Sequence, residues 1–223
     1  MNLLQKPDAI LFDWDGTLVD TIHVLTKAYN DIFVEFGMPT WTLDEAKQNI
    51  RKSAREIFPE IFPGREDKAL EIYYRSIEAN HLEQLGKMNG VDNFLSMLKS
   101  KKIPLGVISN KRDAYLKKEV EHLGWQDYFT AVVGAGRGNH DKPSPEVMEI
   151  ALNEMGLPLE NLEIWYVGDT EIDLEFAANY GCKKVFISHG FGTLENAMKY
   201  EPDFVADSCE SLGKQLDTIF NLR

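Results

Sequence analysis

Four aspartates, a serine and a lysine are spaced so that successive strands could bring them to one cleft. Asp13 and Asp15 are separated by one residue and lead into Gly16 and Thr17. Asp169 follows Gly168, and Asp173 lies about one helical turn further on. Ser109 and Asn110 close an apolar run, and Lys142 precedes Pro143. Clustered carboxylates repel and raise one another's pKa unless a cation sits among them. Hard oxygen donors suit Mg²⁺, which uses few protein carboxylates and keeps room for water and a phosphate oxygen. A carboxylate is also a competent nucleophile, dividing a phosphoryl transfer into two easier steps. A lysine and a serine would then hold the oxygens of the transferring group. Each residue also has a plainer use: Asp before Gly in a strand-end turn, Ser-Asn as a helix cap, Lys on a solvated loop, Asp in a first helical turn. No apolar core calls for the whole set.

Elements of one kind must position them. Ala9–Phe12 is a short apolar run that stops at Asp13, a buried strand ending in a polar loop. Further strands are expected over 103–108, 130–134, 163–167, 184–187 and 203–206. Helices are expected between them: one capped by Asp113 and ending at Gly124, one opened by Ser144-Pro145 and ending at Gly156, and one over 171–180 ending at Gly181. Alternating strands and helices with near-continuous apolar strands read as α/β: a Rossmann-like, doubly wound parallel sheet covered on both faces. In such sheets ligands bind beyond the carboxyl ends of the strands, which is where the chemical residues stand.

The stretch 20–89 breaks the alternation. It reads as helices over 21–36, 43–58 and 66–85, with no strand. The expected organisation is therefore a catalytic core of 1–19 and 90–223 and an all-helical insert of 20–89, with Gly86 and Gly90 as hinge candidates at its exit. Arg51, Lys52 and Arg55 are the insert's densest basic cluster. Positions 51 and 55 would share one helix face and could clamp an anionic group, or be balanced by Glu45 and Glu56 on a solvated surface.

Asp13-Trp14-Asp15-Gly16-Thr17 resembles the first motif, DxDGT, of the haloacid dehalogenase-like hydrolase superfamily. Ser109-Asn110 resembles the second motif, Lys142-Pro143 the third, and Gly168-Asp169-Thr170 with Asp173 the fourth, GDxxxD. The order matches along the whole chain, and the helical insert resembles that family's C1-type cap. The resemblance implies that Asp13 is nucleophile and metal ligand. Asp15 would be general acid and then base, with its carbonyl on the metal. Asp169 would be a metal ligand supported by Asp173. Ser109 and Lys142 would bind the phosphoryl group, with backbone N–H groups at Gly16, Thr17 and Asn110 completing the cradle. The implied cofactor is Mg²⁺.

An acid two residues after the nucleophile can protonate an alkoxide, which favours phosphate-ester hydrolysis over dehalogenation. The cap resembles those of phosphoglycolate phosphatases, although Ser53-Ala54 stands where many such caps carry glycine. Pyrophosphate, sugar-phosphate and nucleotide hydrolysis are the alternatives. So are a β-phosphoglucomutase, a phosphonoacetaldehyde hydrolase using Lys52, and a non-catalytic binding module.

The remaining features narrow the partners. The chain has 223 residues and a formal net charge of −12, which speaks against a nucleic-acid surface. A small phosphorylated metabolite remains compatible, because a metal and local cations can invert the field in one cleft. Met1–Ala9 shows no leader pattern and no apolar run is long enough to span a bilayer, so a cytoplasmic monomer or homodimer without membrane contact is expected. Cys182 and Cys209 form no metal or disulfide pattern. The glycine-rich stretch 134–138 lacks both GxGxxG and a Walker lysine, and reads as a loop carrying Arg137 and His140 toward Lys142.

Overall fold

The computed structural model describes residues 6–221. Residues 1–5, part of the segment read for a leader, and residues 222–223 lie outside it. Six parallel strands form the sheet in the order β5-β4-β1-β6-β7-β8. They are β1 (Ala9–Phe12), β4 (Leu105–Arg112), β5 (Ala131–Ala135), β6 (Ile164–Gly168), β7 (Lys183–Ile187) and β8 (Phe204–Ala206). Strand β1 pairs with β4 on one side and β6 on the other. The order therefore reverses at β1, and the crevice beyond its carboxyl end is the position where such sheets bind ligands.

Side chains of β1 alternate between two apolar layers. Ile10 and Phe12 join a core with α5 (Val91–Ser100), α6 (Asp113–His122) and α10 (Cys209–Asn221). Ala9 and Leu11 join the opposite core with α7 (Glu146–Met155) and α8 (Glu171–Tyr180). Helices on both faces explain why all four β1 residues are buried. The doubly wound α/β reading stands. Cys182 and Cys209 are buried and free.

Four helices lie between β1 and β4: α1 (Ile22–Glu35), α2 (Leu43–Asn49), α3 (Ala54–Ile61) and α4 (Glu66–Asn80). Helices α1, α3 and α4 meet in a core of Tyr29, Phe33, Phe58, Phe62 and Ile72, and α2 packs beside it through Ala46. Three expectations are corrected here. First, the segment is not free of strand: Val19–Asp20 (β2) pairs antiparallel with Gly86–Lys87 (β3) and ties the segment's two ends together. Two-residue strands carry no readable period. Second, the helix expected over 43–58 is two helices. Ile50 takes an extended conformation (φ −83, ψ 105), and Arg51–Ser53 form the break. No Gly or Pro marks it; Ile50 packs into two apolar clusters at once. Arg51 and Arg55 thus do not share a continuous helix. Third, the last helix ends at Asn80 rather than 85, where His81 turns into a buried polar contact. Smaller shifts occur at caps. Helix α7 starts at Glu146 after Pro145, and Asp113 accepts from Gly134 N instead of capping α6.

Candidate active site

The loop after β1 turns through Gly16, whose φ of +88 suits glycine. A Cβ there would lie 2.4 Å from Asp169 Oδ2, so the β1 and β6 loops touch at a position only glycine allows. Gly190 meets the same carboxylate from the β7 side, where a Cβ would lie 2.1 Å from Asp169 Oδ2. Asp169 is buried and held by Thr17 Oγ1 and Phe191 N, each donating at 2.7 Å. Thr17 is therefore turned inward to Asp169, and neither it nor Gly16 lines the cavity.

Lys142 is buried and its ammonium donates to three acceptors: Asp13 Oδ1 at 2.7 Å, Asp173 Oδ1 at 2.7 Å and Tyr166 Oη at 2.9 Å. Its backbone is fixed by Asn110, whose amide donates to Lys142 O and whose Oδ1 accepts from Lys142 N. Asn110 thus positions Lys142. Asp173 also accepts from Thr170 N and Oγ1, so both its oxygens are engaged. Asp13, Asp169 and Asp173 each offer an oxygen within 4.8 Å of the others, and all three are buried.

Burial raises Asp13 to about 7, with Asp173 and Asp15 pushing the same way and Lys142 opposing. Burial also raises Asp169 far above the usual carboxylate range, reinforced by Asp173 and Asp13. Lys142 stays cationic, since Asp13 and Asp173 outweigh the burial that disfavours its charge. One ammonium among three buried carboxylates leaves excess negative charge, the condition a divalent cation relieves. Asp13 and Asp169 keep unused lone pairs and fit as its ligands; Asp173, with three of about four acceptor sites taken by Lys142 and Thr170, fits as support.

Above this cluster lies a cavity of about 190 Å³, lined by Asp13, Asp15, Ser109, Asn110 and Lys142 below and by Tyr29, Ile50, Arg51, Arg55, Tyr73 and Tyr74 above. The sequence brought Asp13, Asp15, Ser109, Lys142, Asp169 and Asp173 to one rim, and the structure gathers all six there. Arg51 and Arg55 of segment 20–89 also line the cavity, but each is paired with an acid from beyond that segment. Arg51 Nε donates to Glu171 at 2.7 Å, and Arg55 donates to Asp141 at 2.7 and 2.6 Å. Neither Glu45 nor Glu56 pairs directly with these arginines: Glu45 caps α2 at Thr42, and Glu56 accepts from Asp141 N while its charge still favours the Arg55 cation. Lys52 is exposed and pairs with Glu60 at 3.2 Å. Arg137 pairs with Glu154, and neither it nor His140 lines the cavity.

Lys111 went unread in the sequence, yet it donates to Asp15 at 2.6 Å. Its place two residues after Ser109 on β4 was the available signal. Glu119, buried on an amphipathic helix, gave none.

Among proteins of known name, a pyrophosphatase PpaX of Listeria monocytogenes is 28% identical over 93% of this chain and 95% of its own length. A phosphoglycolate phosphatase of Aquifex aeolicus is 29% identical over 93% of this chain and 96% of its own. A haloacid dehalogenase-like hydrolase from Streptococcus pneumoniae superposes with a TM-score of 0.81 at 24% identity, covering 96% of this chain and 98% of that one. CbbY from Rhodobacter sphaeroides, solved with phosphate, gives 0.78 at 21% identity, covering 93% and 97%. The profile of the haloacid dehalogenase-like hydrolases matches residues 10–187, and the chain belongs to that family.

Proposed function

We propose that this protein is a Mg²⁺-dependent phosphomonoesterase of the phosphoglycolate phosphatase kind, acting through a phosphoaspartate on Asp13. The observation that carries the reading is the Lys142 ammonium bridging Asp13 and Asp173 beside Asp169, directly beneath a cavity that Asp15 and Ser109 also line. Segment 20–89 serves as the cap and residues 1–19 with 90–223 as the catalytic core.

Asp13 attacks phosphorus as the ester P–O bond breaks. The electron pair leaves with the alcohol oxygen, which takes a proton from Asp15. Water then attacks the phosphoaspartate, Asp15 takes the water's proton, and Asp13 is released with inorganic phosphate. Ser109 holds a phosphoryl oxygen; the Gly16 and Thr17 N–H groups expected beside it donate instead to Val19 O and Trp14 O. Lys142 acts chiefly as a fixed charge, since its three protons already have acceptors. Bound Mg²⁺ would supply neutralisation of the phosphoryl charge, held by Asp13, Asp169 and the Asp15 carbonyl.

The pyrophosphatase relatives support a second reading, hydrolysis of pyrophosphate. The cavity wall argues for an organic ester instead. Leu25, Tyr29, Ile50, Tyr73, Ile77 and Phe191 face it, and its cap arginines are already in ion pairs. Phosphate release from 2-phosphoglycolate, pyrophosphate and p-nitrophenyl phosphate, with and without Mg²⁺, decides between them. Absence of release from all three would overturn the phosphatase reading.

A further inference from the structure

Asp15 does not set its own orientation. Its Oδ1 accepts from Thr21 Oγ1 and from Lys111 Nζ, each at 2.6 Å, while no group among the described residues bonds Oδ2. Two donors on Oδ1 leave no site there for a proton, so an acidic proton must sit on Oδ2. The Lys111 side chain is 6% exposed, and its ammonium also donates to Glu119 Oε1 at 2.9 Å and Oε2 at 2.8 Å.

Glu119 has no exposure, although it sits on a helix that buries mostly apolar groups. It is fixed from two further directions. Trp14 Nε1, between the two motif aspartates, donates to Oε2 at 2.7 Å, and His81 Nδ1, at the end of α4, lies 2.8 Å from Oε1. Burial works against charge on Lys111, but Asp15 and Glu119 outweigh it and its pKa rises. Burial likewise opposes charge on Glu119, and Lys111, His81 and Trp14 outweigh it, so its pKa falls. Lys111 and Glu119 therefore stay charged. A buried ion pair is a poor source of stability compared with apolar packing. What this one provides is geometry. A lysine on four rotatable bonds is a loose point charge unless something anchors its ammonium.

We infer that Lys111, braced by Glu119, is the positioning residue of Asp15, holding the carboxyl so that Oδ2 delivers its proton to the leaving alcohol. The inference rests on the phosphatase reading above and adds a role to residues outside the family's four motifs. Breaking the ester bond needs that proton when the departing oxygen is an alkoxide and hardly at all when it is a stabilised phenolate. The value of kcat/KM reports only steps up to formation of the phosphoaspartate, so it isolates the acid role from the later base role.

The test compares benzyl phosphate with p-nitrophenyl phosphate, esters of similar ring size, in Mg²⁺. Lys111→Met should lower kcat/KM for benzyl phosphate about 10-fold or more beyond its effect on the nitrophenyl ester, part of the 10²–10⁴ that general acid catalysis commonly supplies. Lys111→Arg, which keeps a cation in reach of both carboxylates, should recover part of that selective loss. If Lys111→Met alone fails to fold, Lys111→Met/Glu119→Gln removes both buried charges and should show the same selectivity. Equal losses on the two esters, in either background, would overturn the inference while leaving the phosphatase reading intact. A wild-type protein that releases phosphate from neither ester, nor from 2-phosphoglycolate or pyrophosphate, would overturn the phosphatase reading and this inference with it.

Discussion

Lys142 carries three N–H donors, and the fold meets them with Asp13, Asp173 and Tyr166. Removing that ammonium leaves a cluster of buried carboxylates without a protein cation. Lys142→Met should lower turnover at least about 100-fold and also weaken the metal-free fold, because an unpaired buried charge costs several kcal/mol. Asp13→Asn should abolish phosphate release and leave far-UV circular dichroism unchanged. Retention of wild-type turnover by Asp13→Asn would remove the phosphoaspartate from the mechanism.

The same residue predicts a pH dependence. Asp13 moves from 3.8 to about 7 on folding, so between those values the folded state binds more protons than the unfolded one. Stability then falls as pH rises through that window and is lowest above it. Asp169 is raised as well and acts in the same direction. In the metal-free protein the melting temperature should therefore drop between about pH 5 and pH 8, and Mg²⁺ should largely remove the slope. A metal-free protein that grows more stable across that range would contradict the charge excess assigned to the cluster.

At the scale of elements, the break between α2 and α3 matters most. It places Arg51 against Glu171 and Arg55 against Asp141, joining the helical segment to the core across the cavity mouth. Asp141 is almost wholly buried and also accepts from Gly136 N, so Arg55 faces a fixed carboxylate. Arg55→Ala should raise KM several-fold by loosening the segment over the cavity. Because Asp141 would stay buried without its cation, the stability loss should be about 2–3 kcal/mol, roughly 5–10 degrees of melting temperature. An unchanged KM would show that the clamp does not govern access. Gly190→Ala tests the opposite wall: its Cβ would collide with Asp169, and the affinity for Mg²⁺ should fall more than thermal stability does. Isothermal titration beside a melting curve separates the two.

Across the whole molecule, the net charge of −12 sits uneasily with an anionic substrate until the site's own cations and metal are counted. A ligand that binds only the folded state stabilises it by about 2.7 kcal/mol at 100 times its Kd. For a chain of this size, saturating Mg²⁺ should raise the melting temperature by roughly 5–10 °C, and EDTA should abolish both the shift and the activity.

The alternation of buried strands and helices was legible in the residues alone, and so were six chemical residues at strand ends or in the loop or first helical turn that follows. Those features are local: an apolar run has to be buried, and a polar residue at its end has to face the edge of the sheet. What the structure decided is everything that depends on distant residues meeting. The α2–α3 break has no local marker, because Ile50 turns toward packing partners elsewhere in the chain. Thr17 looked available to substrate until Asp169, 152 positions away, took its hydroxyl. Arg51 and Arg55 read as a clamp or as a surface balanced by Glu45 and Glu56 until Glu171 and Asp141 met them from the core. Lys111 on β4 and Glu119 on α6 were unconnected charges until burial closed them around Asp15. Hydrogen bonds and ion pairs between remote side chains carry no period in sequence, so only the folded chain shows which polar groups are already engaged and which remain for a ligand.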